Sequence, residues 1–164
     1  MKNLEVSNIR RDEGEASNAF IKQIEALYNV KLPVIYSNFI IEHNGACLFA
    51  RIFDYQDPNV GNNKVNSNAI AFESVEDIPF HIENIKSGEE SNWPIQYKFE
   101  DGLIPFGDNG GGDMICFDYR KDRTTDNPPI VIWNHDMGLE HRVVFIANNF
   151  EEFINMLHEP EEDQ

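Results

Sequence analysis

The sequence predicts a single α+β domain in which helices flank a mixed or antiparallel sheet of about four to six strands. Apolar residues recur at helical spacing between residues 15 and 43, whereas short apolar runs separated by turn-forming residues dominate the chain beyond residue 100. A last amphipathic segment near the C-terminus brings the expected number of helices to about four. The 164 residues suit one core, and no repeat or linker divides them.

The chain begins with two predicted helices. Apolar residues at positions i, i+1, i+4, i+7 and i+8 predict an amphipathic helix over residues 15–29, and these residues are Phe20, Ile21, Ile24, Leu27 and Tyr28. Pro33 suits the first turn of a second helix over residues 33–43. Asn44-Gly45 then provides the left-handed conformation that ends a helix.

The middle of the chain alternates β-compatible runs with polar stretches. Residues 47–53 and 70–72 are β-compatible, and the asparagine-rich stretch 54–68 between them predicts a long loop or an irregular hairpin. Ser74 resembles an N-cap for a third helix, whose apolar stripe is Val75, Ile78, Ile82 and Ile85. An acidic loop is expected at residues 87–92.

The second half of the chain predicts most of the sheet. Apolar runs bounded by turn-forming residues indicate four strands, at 103–106, 113–119, 130–133 and 142–147. Asn148 is the expected cap of a final helix over residues 149–158. Residues 1–14 are polar and are expected to be loosely packed, and the acidic tail 159–164 is expected to be disordered.

Net charge is the most informative bulk property. Twenty-nine acidic residues against thirteen basic residues give a formal net charge of −16. Such a field repels polyphosphates, so nucleic acids and anionic membrane surfaces are not expected partners, whereas a basic protein would be attracted. The alternative is that the charge serves only solubility. The sequence contains no stretch of about 18 apolar residues and no secretory signal, which predicts a cytoplasmic protein.

Residues with catalytic or ligand-binding chemistry do not form a recognisable motif. Cys47 and Cys116 lie in apolar runs and are expected to be buried, reduced thiols. The glycine-rich segment 107–113 precedes a predicted strand rather than a helix, so it predicts a hairpin turn with positive φ rather than a phosphate site. Asp108, Asp113 and Asp118 lack calcium-binding spacing. No metal, no cofactor and no catalytic residue is therefore expected.

Three motifs together resemble the SUKH superfamily over about residues 15–158. The first is Leu32-Pro33-Val34-Ile35-Tyr36, followed by Phe39 and then Asn44-Gly45. The second runs from Asp101-Gly102-Leu103-Ile104-Pro105-Phe106 through Gly111-Gly112-Asp113 to Phe117-Asp118. The third is the closing segment 145–154, in which Asn149 stands where the family often has serine and retains capping chemistry. In combination, these motifs are fairly specific.

The resemblance implies an α+β fold and a function in protein binding without shared catalytic residues. Bacterial members of the superfamily are typically immunity proteins that neutralise a toxin, often a nuclease, and fungal relatives act as scaffolds in cell-wall signalling. The leading hypothesis is an immunity protein that binds a basic cognate toxin. A regulatory or scaffold module without a toxin partner is the alternative, and an enzyme or small-ligand protein using the turn at 108–113 is a third. A homo-oligomer is compatible with each.

Acidic residues mingled with aromatic residues mark the expected partner-binding surface. Interfaces combine aromatic anchors with a charged rim, and several acidic clusters of this chain have an aromatic residue close by in sequence. The candidate partner-binding residues are Asp54, Tyr55, Asp57, Glu89, Glu90, Trp93, Glu100, Asp101, Asp108, Asp122 and Asp126.

Overall fold

A five-stranded antiparallel sheet with strand order β5-β6-β7-β8-β9 organises the structure, a computed structural model that describes residues 2–59, 61, 64–87 and 99–161. The strands are β1 (Ile9–Arg11), β2 (Cys47–Leu48), β3 (Ile52–Gln56), β4 (Val65–Ala69), β5 (Ala71–Phe72), β6 (Leu103–Asp108), β7 (Met114–Asp118), β8 (Ile130–Trp133) and β9 (Val143–Ala147). The helices are α1 (Asn18–Tyr28), α2 (Val34–Glu42), α3 (Ile78–Ser87) and α4 (Phe150–Met156). These elements confirm the predicted α+β class.

The sheet is antiparallel throughout because each strand from β5 to β9 pairs in the opposite direction with the next one. Two further pairs, β1 with β2 and β3 with β4, are also antiparallel. The polar stretch 54–68 therefore belongs to a hairpin, but not to the irregular one that the sequence predicts as an alternative to a long loop. Its register runs without a shift from Ile52 opposite Ala69 to Gln56 opposite Val65.

The core lies between one face of the large sheet and helices α2 and α4. The Tyr36 ring of α2 is fully buried and contacts Phe106, Phe117 and Phe150 edge-on, at centroid distances of 5.8, 5.1 and 5.5 Å. Edge-to-face aromatic packing of this kind contributes about 0.5–1.5 kcal/mol per pair beyond the burial of apolar area. The tyrosine and the first two phenylalanines come from the motifs that resemble the SUKH superfamily, so those motifs encode the core.

Helix α1 lies where the sequence predicts it but buries a narrower stripe. The Ser17 hydroxyl accepts a hydrogen bond from the Ala19 amide at 3.2 Å, and Asn29 ends the helix with φ 52°. Ile21 and Ile24 are buried, whereas Phe20 is 37% and Leu27 56% exposed. Phe20 and Leu27 are therefore part of the apolar pattern that predicts the helix but not of its buried face. They lie at the margins of the apolar arc, where packing partners decide burial.

Two predicted caps are corrected. Asn149, not Asn148, caps α4, because its side-chain oxygen accepts a hydrogen bond from the Glu152 amide at 2.9 Å. Asn148 instead donates to the Glu152 carboxylate at 2.9 Å. Ser74 does not cap α3; its hydroxyl donates to the Glu13 carboxylate at 2.5 Å, and a turn separates it from the first helical residue, Ile78.

The N-terminal segment differs from the expectation of loose packing for residues 1–14. It contains two short 3-10 turns and strand β1, which pairs with β2. The Asn3 amide donates to the carbonyl oxygens of Ile154 and Leu157, both at 2.8 Å, and thereby binds the C-terminal end of α4. Leu4 and Ile9 also pack against the core. Two apolar residues and a few polar contacts leave no hydrophobic periodicity in the sequence from which this packing could be predicted.

Candidate functional site

The candidate partner-binding residues fall into separate groups on the structure. Glu100, Asp101, Asp122 and Asp126 lie around the start of β6 and the β7–β8 connection, and we name them the sheet-end patch. Asp54, Tyr55 and Asp57 belong to β3 or directly follow it, and Asp108 ends β6 at the glycine turn. Glu89, Glu90 and Trp93 lie outside the described residues. The structure therefore does not gather the described candidates into one surface.

Glu100 is fixed by a buried arginine. The Arg142 side chain is 2% exposed, and its Nε donates to the Glu100 carboxylate at 2.8 Å. The Arg142 guanidinium also lies 5.9 Å from the centre of the Trp133 ring, a cation–π distance. The other carboxylate oxygen of Glu100 is buried and has no hydrogen-bond partner among the described residues. Part of the Glu100 carboxylate is therefore used in a contact within the fold and is not free to bind a partner.

Asp101 joins the start of β6 to the β7–β8 connection and to α1. Its carboxylate pairs with the Arg123 guanidinium at 2.5 Å, and the same guanidinium donates to the Tyr28 carbonyl oxygen at 2.9 Å. The Asp101 side chain remains 76% exposed. Because the pair lies largely in solvent, its contribution to stability is small, and the Asp101 carboxylate can still contact a partner protein.

Asp122 and Asp126 are both exposed. The Asp122 carboxylate accepts hydrogen bonds from the Thr124 hydroxyl at 2.7 Å and the Thr124 amide at 2.8 Å, and these two bonds lower the pKa of Asp122. Nearby, Arg120 binds the Asp118 carboxylate through two hydrogen bonds of 2.8 Å each. The loop therefore presents an ionised Asp122 carboxylate on a backbone that local hydrogen bonds hold in place.

Beside the sheet-end patch lies a groove of about 500 Å³ with an apolar floor. Val131, Val143 and Phe145 form this floor, and the charged residues that line the groove are Asp118, Arg120, Lys121 and Asp122. Phe145 lies on β9, which pairs only with β8 among the described strands, and its side chain is 53% exposed. Exposed aromatic residues on an edge strand, surrounded by charged groups, are typical of protein-binding surfaces.

Sequence reasoning missed Phe145 because every residue from Val143 to Ala147 is apolar. Alternation along β9 supplies the missing information: Val144 and Ile146 are buried, so Phe145 points to the opposite face of the sheet. The sequence contains a signal for the exposure of Phe145, since alternate residues of a strand at the edge of a sheet can face solvent. It becomes readable only once the position of β9 in the sheet is known.

The hairpin residues offer less free surface than their sequence suggests. Tyr55 is only 9% exposed, and its ring packs 5.7 Å from that of Phe53, so its side chain is part of the core. Asp54 accepts a hydrogen bond from the Ser67 hydroxyl at 2.5 Å on the paired strand. Asp57 accepts from the Asn59 backbone and side-chain amides at 2.8 and 2.9 Å, which shapes the start of the turn.

The glycine-rich segment is a structural turn between β6 and β7, as predicted. Gly110 and Gly112 have φ values of 75° and 104°, which glycine adopts without steric cost. The Asn109 side chain accepts hydrogen bonds from the amides of Gly111 and Asp113, at 2.8 and 3.1 Å. The Asp113 carboxylate lies 2.8 Å from His135 Nδ1. The turn's polar groups are therefore occupied by one another and by His135.

Asp108 belongs to a different cluster, which the sequence does not reveal. Its carboxylate accepts a hydrogen bond from the Gly110 amide at 2.5 Å and lies next to Glu73, which binds His81 Nε2 at 3.0 Å. Burial, followed by the neighbouring Glu73 carboxylate, raises the pKa of Asp108 although the Gly110 amide opposes this. The cluster depends on the pairing of β5 with β6, residues far apart in the chain.

Other chemistry-bearing residues lie within the fold. Cys47 and Cys116 are buried and unpaired, and burial raises the pKa of the Cys116 thiol well above its ordinary value. A buried thiol of raised pKa is a poor nucleophile because the thiolate is the reactive form. Across the described residues, no three side chains of histidine, cysteine, aspartate or glutamate are grouped as metal ligands would be. None of the described helices is long and apolar enough to cross a membrane.

Fold and surface together define an α+β domain with a formal net charge of −16 and an exposed aromatic residue on an edge strand. The model of the SMI1 / KNR4 family (SUKH-1) matches residues 15–156. The chain therefore belongs to the SMI1 / KNR4 family, and the resemblance to the SUKH superfamily is confirmed. No curated protein matches the chain significantly. Membership of this family supports a protein-interaction module of the immunity or regulatory kind.

Proposed function

We propose that this protein is an immunity protein that binds and neutralises a cognate bacterial toxin, a basic nuclease, in the cytoplasm and without catalysis. Family membership is the observation that carries the proposal. The formal net charge of −16 supports a basic partner. A nuclease holds its substrate in a positively charged groove, and an acidic protein surface competes for that groove by occupying the positions of the phosphates.

The sheet-end patch and the adjoining groove are the surface that best fits this task. Asp101, Asp122 and Asp126 are exposed, and Asp122 is held in an ordered loop by Thr124. Phe145 provides an apolar anchor in the same groove as Asp122. Carboxylates at the rim attract the toxin and raise the association rate, whereas a desolvated aromatic residue at the centre slows dissociation.

The test begins with co-expression of the protein with the product of the adjacent gene, followed by purification and binding kinetics. The double substitution Asp122→Asn/Asp126→Asn removes two charges, while the side-chain oxygen of the amide introduced at position 122 can still accept the Thr124 hydrogen bonds. We expect this variant to associate more slowly, with little change in the dissociation rate. Phe145→Ala should show the reverse pattern, with faster dissociation and an association rate close to that of the wild-type protein.

A control variant that loses the same number of charges separates the effect of local contacts from that of the protein's overall electrostatic field. Glu15 and Glu42 are not fully buried and lie outside the sheet-end patch, so Glu15→Gln/Glu42→Gln removes the same charge elsewhere. The proposal requires the patch variant to associate more slowly than this control. A neighbouring gene product that forms no complex with the protein would favour the alternative, a regulatory or scaffold module without a toxin partner.

A further inference from the structure

A histidine and two carboxyl groups join helix α3 to the edge of the large sheet. Ala71 of β5 lies opposite Asp108 of β6, and Phe72 lies opposite Gly107. Side chains alternate along a strand, so Glu73 shares a face with Ala71 and is a diagonal neighbour of Asp108, within reach of its carboxyl group. His81 reaches this pair from α3, and its Nε2 lies 3.0 Å from a Glu73 carboxylate oxygen.

Glu73 and Asp108 of this cluster line a cavity of about 200 Å³ whose charged lining residues are mainly acidic. Asp12 binds His43 at 2.7 Å, and Glu13 accepts the Ser74 hydrogen bond at 2.5 Å. The charged residues that line the cavity come from the N-terminal segment, from the connection between β5 and α3, and from the end of β6. They are Arg11, Asp12, Glu13, Glu73, Asp77 and Asp108. In its protonated form, His81 is a cation in direct contact with Glu73, beside this mainly acidic cavity.

The titration of the three groups follows from these contacts. The hydrogen bond with Glu73 raises the pKa of His81, burial opposes it, and the charges of Glu73, Asp77 and Asp108 add to the increase. Burial raises the pKa of Glu73, but the bond and charge of His81 outweigh this effect, so the Glu73 pKa is lowered overall. Asp108 behaves oppositely because burial and the nearby Glu73 carboxylate raise its pKa.

We propose that His81, Glu73 and Asp108 form a proton-dependent clasp that fixes α3 to the edge of the sheet. The clasp requires an ionised Glu73 and a protonated His81. The stabilisation from Glu73 is present above its ordinary pKa of 4.5 and is lost as the pH falls through its lower folded value. The stabilisation from His81 is complete below its ordinary pKa of 6.5 and is lost as the pH rises through its higher folded value.

Asp108 adds a second pH-dependent contribution to stability, which, like that of His81, is lost as the pH rises. Its protonated form donates to Glu73, and that stabilisation is complete below the ordinary pKa of 3.8 and is lost as the pH rises through the higher folded value. Once Asp108 is ionised, its charge repels Glu73, so the cluster depends more strongly on the proton of His81. The clasp is independent of the identity of any toxin partner.

Nuclear magnetic resonance of the full chain tests the clasp. We expect the His81 imidazole to titrate with a midpoint above 6.5. The exchange protection of the α3 backbone amides, corrected for intrinsic rates, should fall about fivefold as the pH rises through that midpoint, the ratio expected when a charge-assisted hydrogen bond becomes neutral. His81→Gln retains a donor for Glu73 without the charge and should abolish this decrease.

His43→Gln is the matched control, since His43 forms the other histidine–carboxylate pair at this cavity, and it should leave the α3 decrease unchanged. If His81→Gln does not fold, Asp108→Asn decides the question, because removal of the Asp108 charge should lower the His81 midpoint. A His81 midpoint at or below 6.5, a His81→Gln variant with the wild-type pH dependence, or an Asp108→Asn variant with an unchanged His81 midpoint would each overturn the clasp.

Discussion

Alanine in place of Gly112 tests whether the glycine turn between β6 and β7 is a structural device. Gly112 has φ 104°, and a Cβ added there would lie 3.1 Å from two atoms of the His135 ring. The unfavourable backbone conformation costs about 1–3 kcal/mol. Displacement of the ring from Asp113, which now lies 2.8 Å from Nδ1, costs about 1 kcal/mol more. Alanine recovers about 0.4–1 kcal/mol by restricting the unfolded chain.

The sum predicts that Gly112→Ala lowers the free energy of unfolding by about 1–3.6 kcal/mol. Gly110 is the matched control because its φ is also positive, at 75°, but an added Cβ would meet nothing within 4 Å. Gly110→Ala should therefore cost only about 1 kcal/mol. Urea unfolding followed by tryptophan fluorescence measures both. A Gly112→Ala variant as stable as Gly110→Ala would refute the proposed contact with His135.

Two further predictions concern arginine–carboxylate pairs near the ends of strands β6, β7 and β9. Arg142→Met should lower the free energy of unfolding by about 3 kcal/mol in urea, because it removes the buried partner of Glu100; a loss below about 1 kcal/mol would contradict this. Burial raises the pKa of Asp118, but the hydrogen bonds and the charge of Arg120 outweigh it and lower the pKa overall. The stabilisation from the Asp118–Arg120 pair is therefore present above pH 3.8 and is lost as the pH falls through the lower folded pKa of Asp118. Arg120→Gln should raise the Asp118 midpoint in a carboxyl carbon titration, and an unchanged midpoint would show that Arg120 is not the cause.

The fold could be predicted because its core residues lie in local patterns. The helical spacing of Ile21 and Ile24 and the apolar runs of the second half each report on one element, and the motifs around Tyr36 and Phe106 report on how these elements pack. Local patterns do not decide between equivalent neighbours. Asn148 and Asn149 have the same capping chemistry, so the sequence could not choose between them.

The candidate site was harder to predict because it depends on pairing between distant segments. Glu73 and Asp108 become neighbours only through the register of β5 with β6, and neither residue belongs to a motif that indicates this contact. Tyr55 looks like a surface anchor among polar residues, yet its strand turns it into the core beside Phe53. Whether an aromatic residue is exposed depends on its position in a sheet, and the flanking sequence does not reveal that position.

The most direct test of the proposed function is the association rate constant between the protein and the product of its adjacent gene, measured across a salt series. Charge complementarity predicts that the rate falls steeply as salt rises, because the screening length shrinks from about 10 Å at 0.1 M to about 3 Å at 1 M. Asp122→Asn/Asp126→Asn should flatten this dependence more than Glu15→Gln/Glu42→Gln does. An association rate that does not change with salt would contradict binding through the acidic surface.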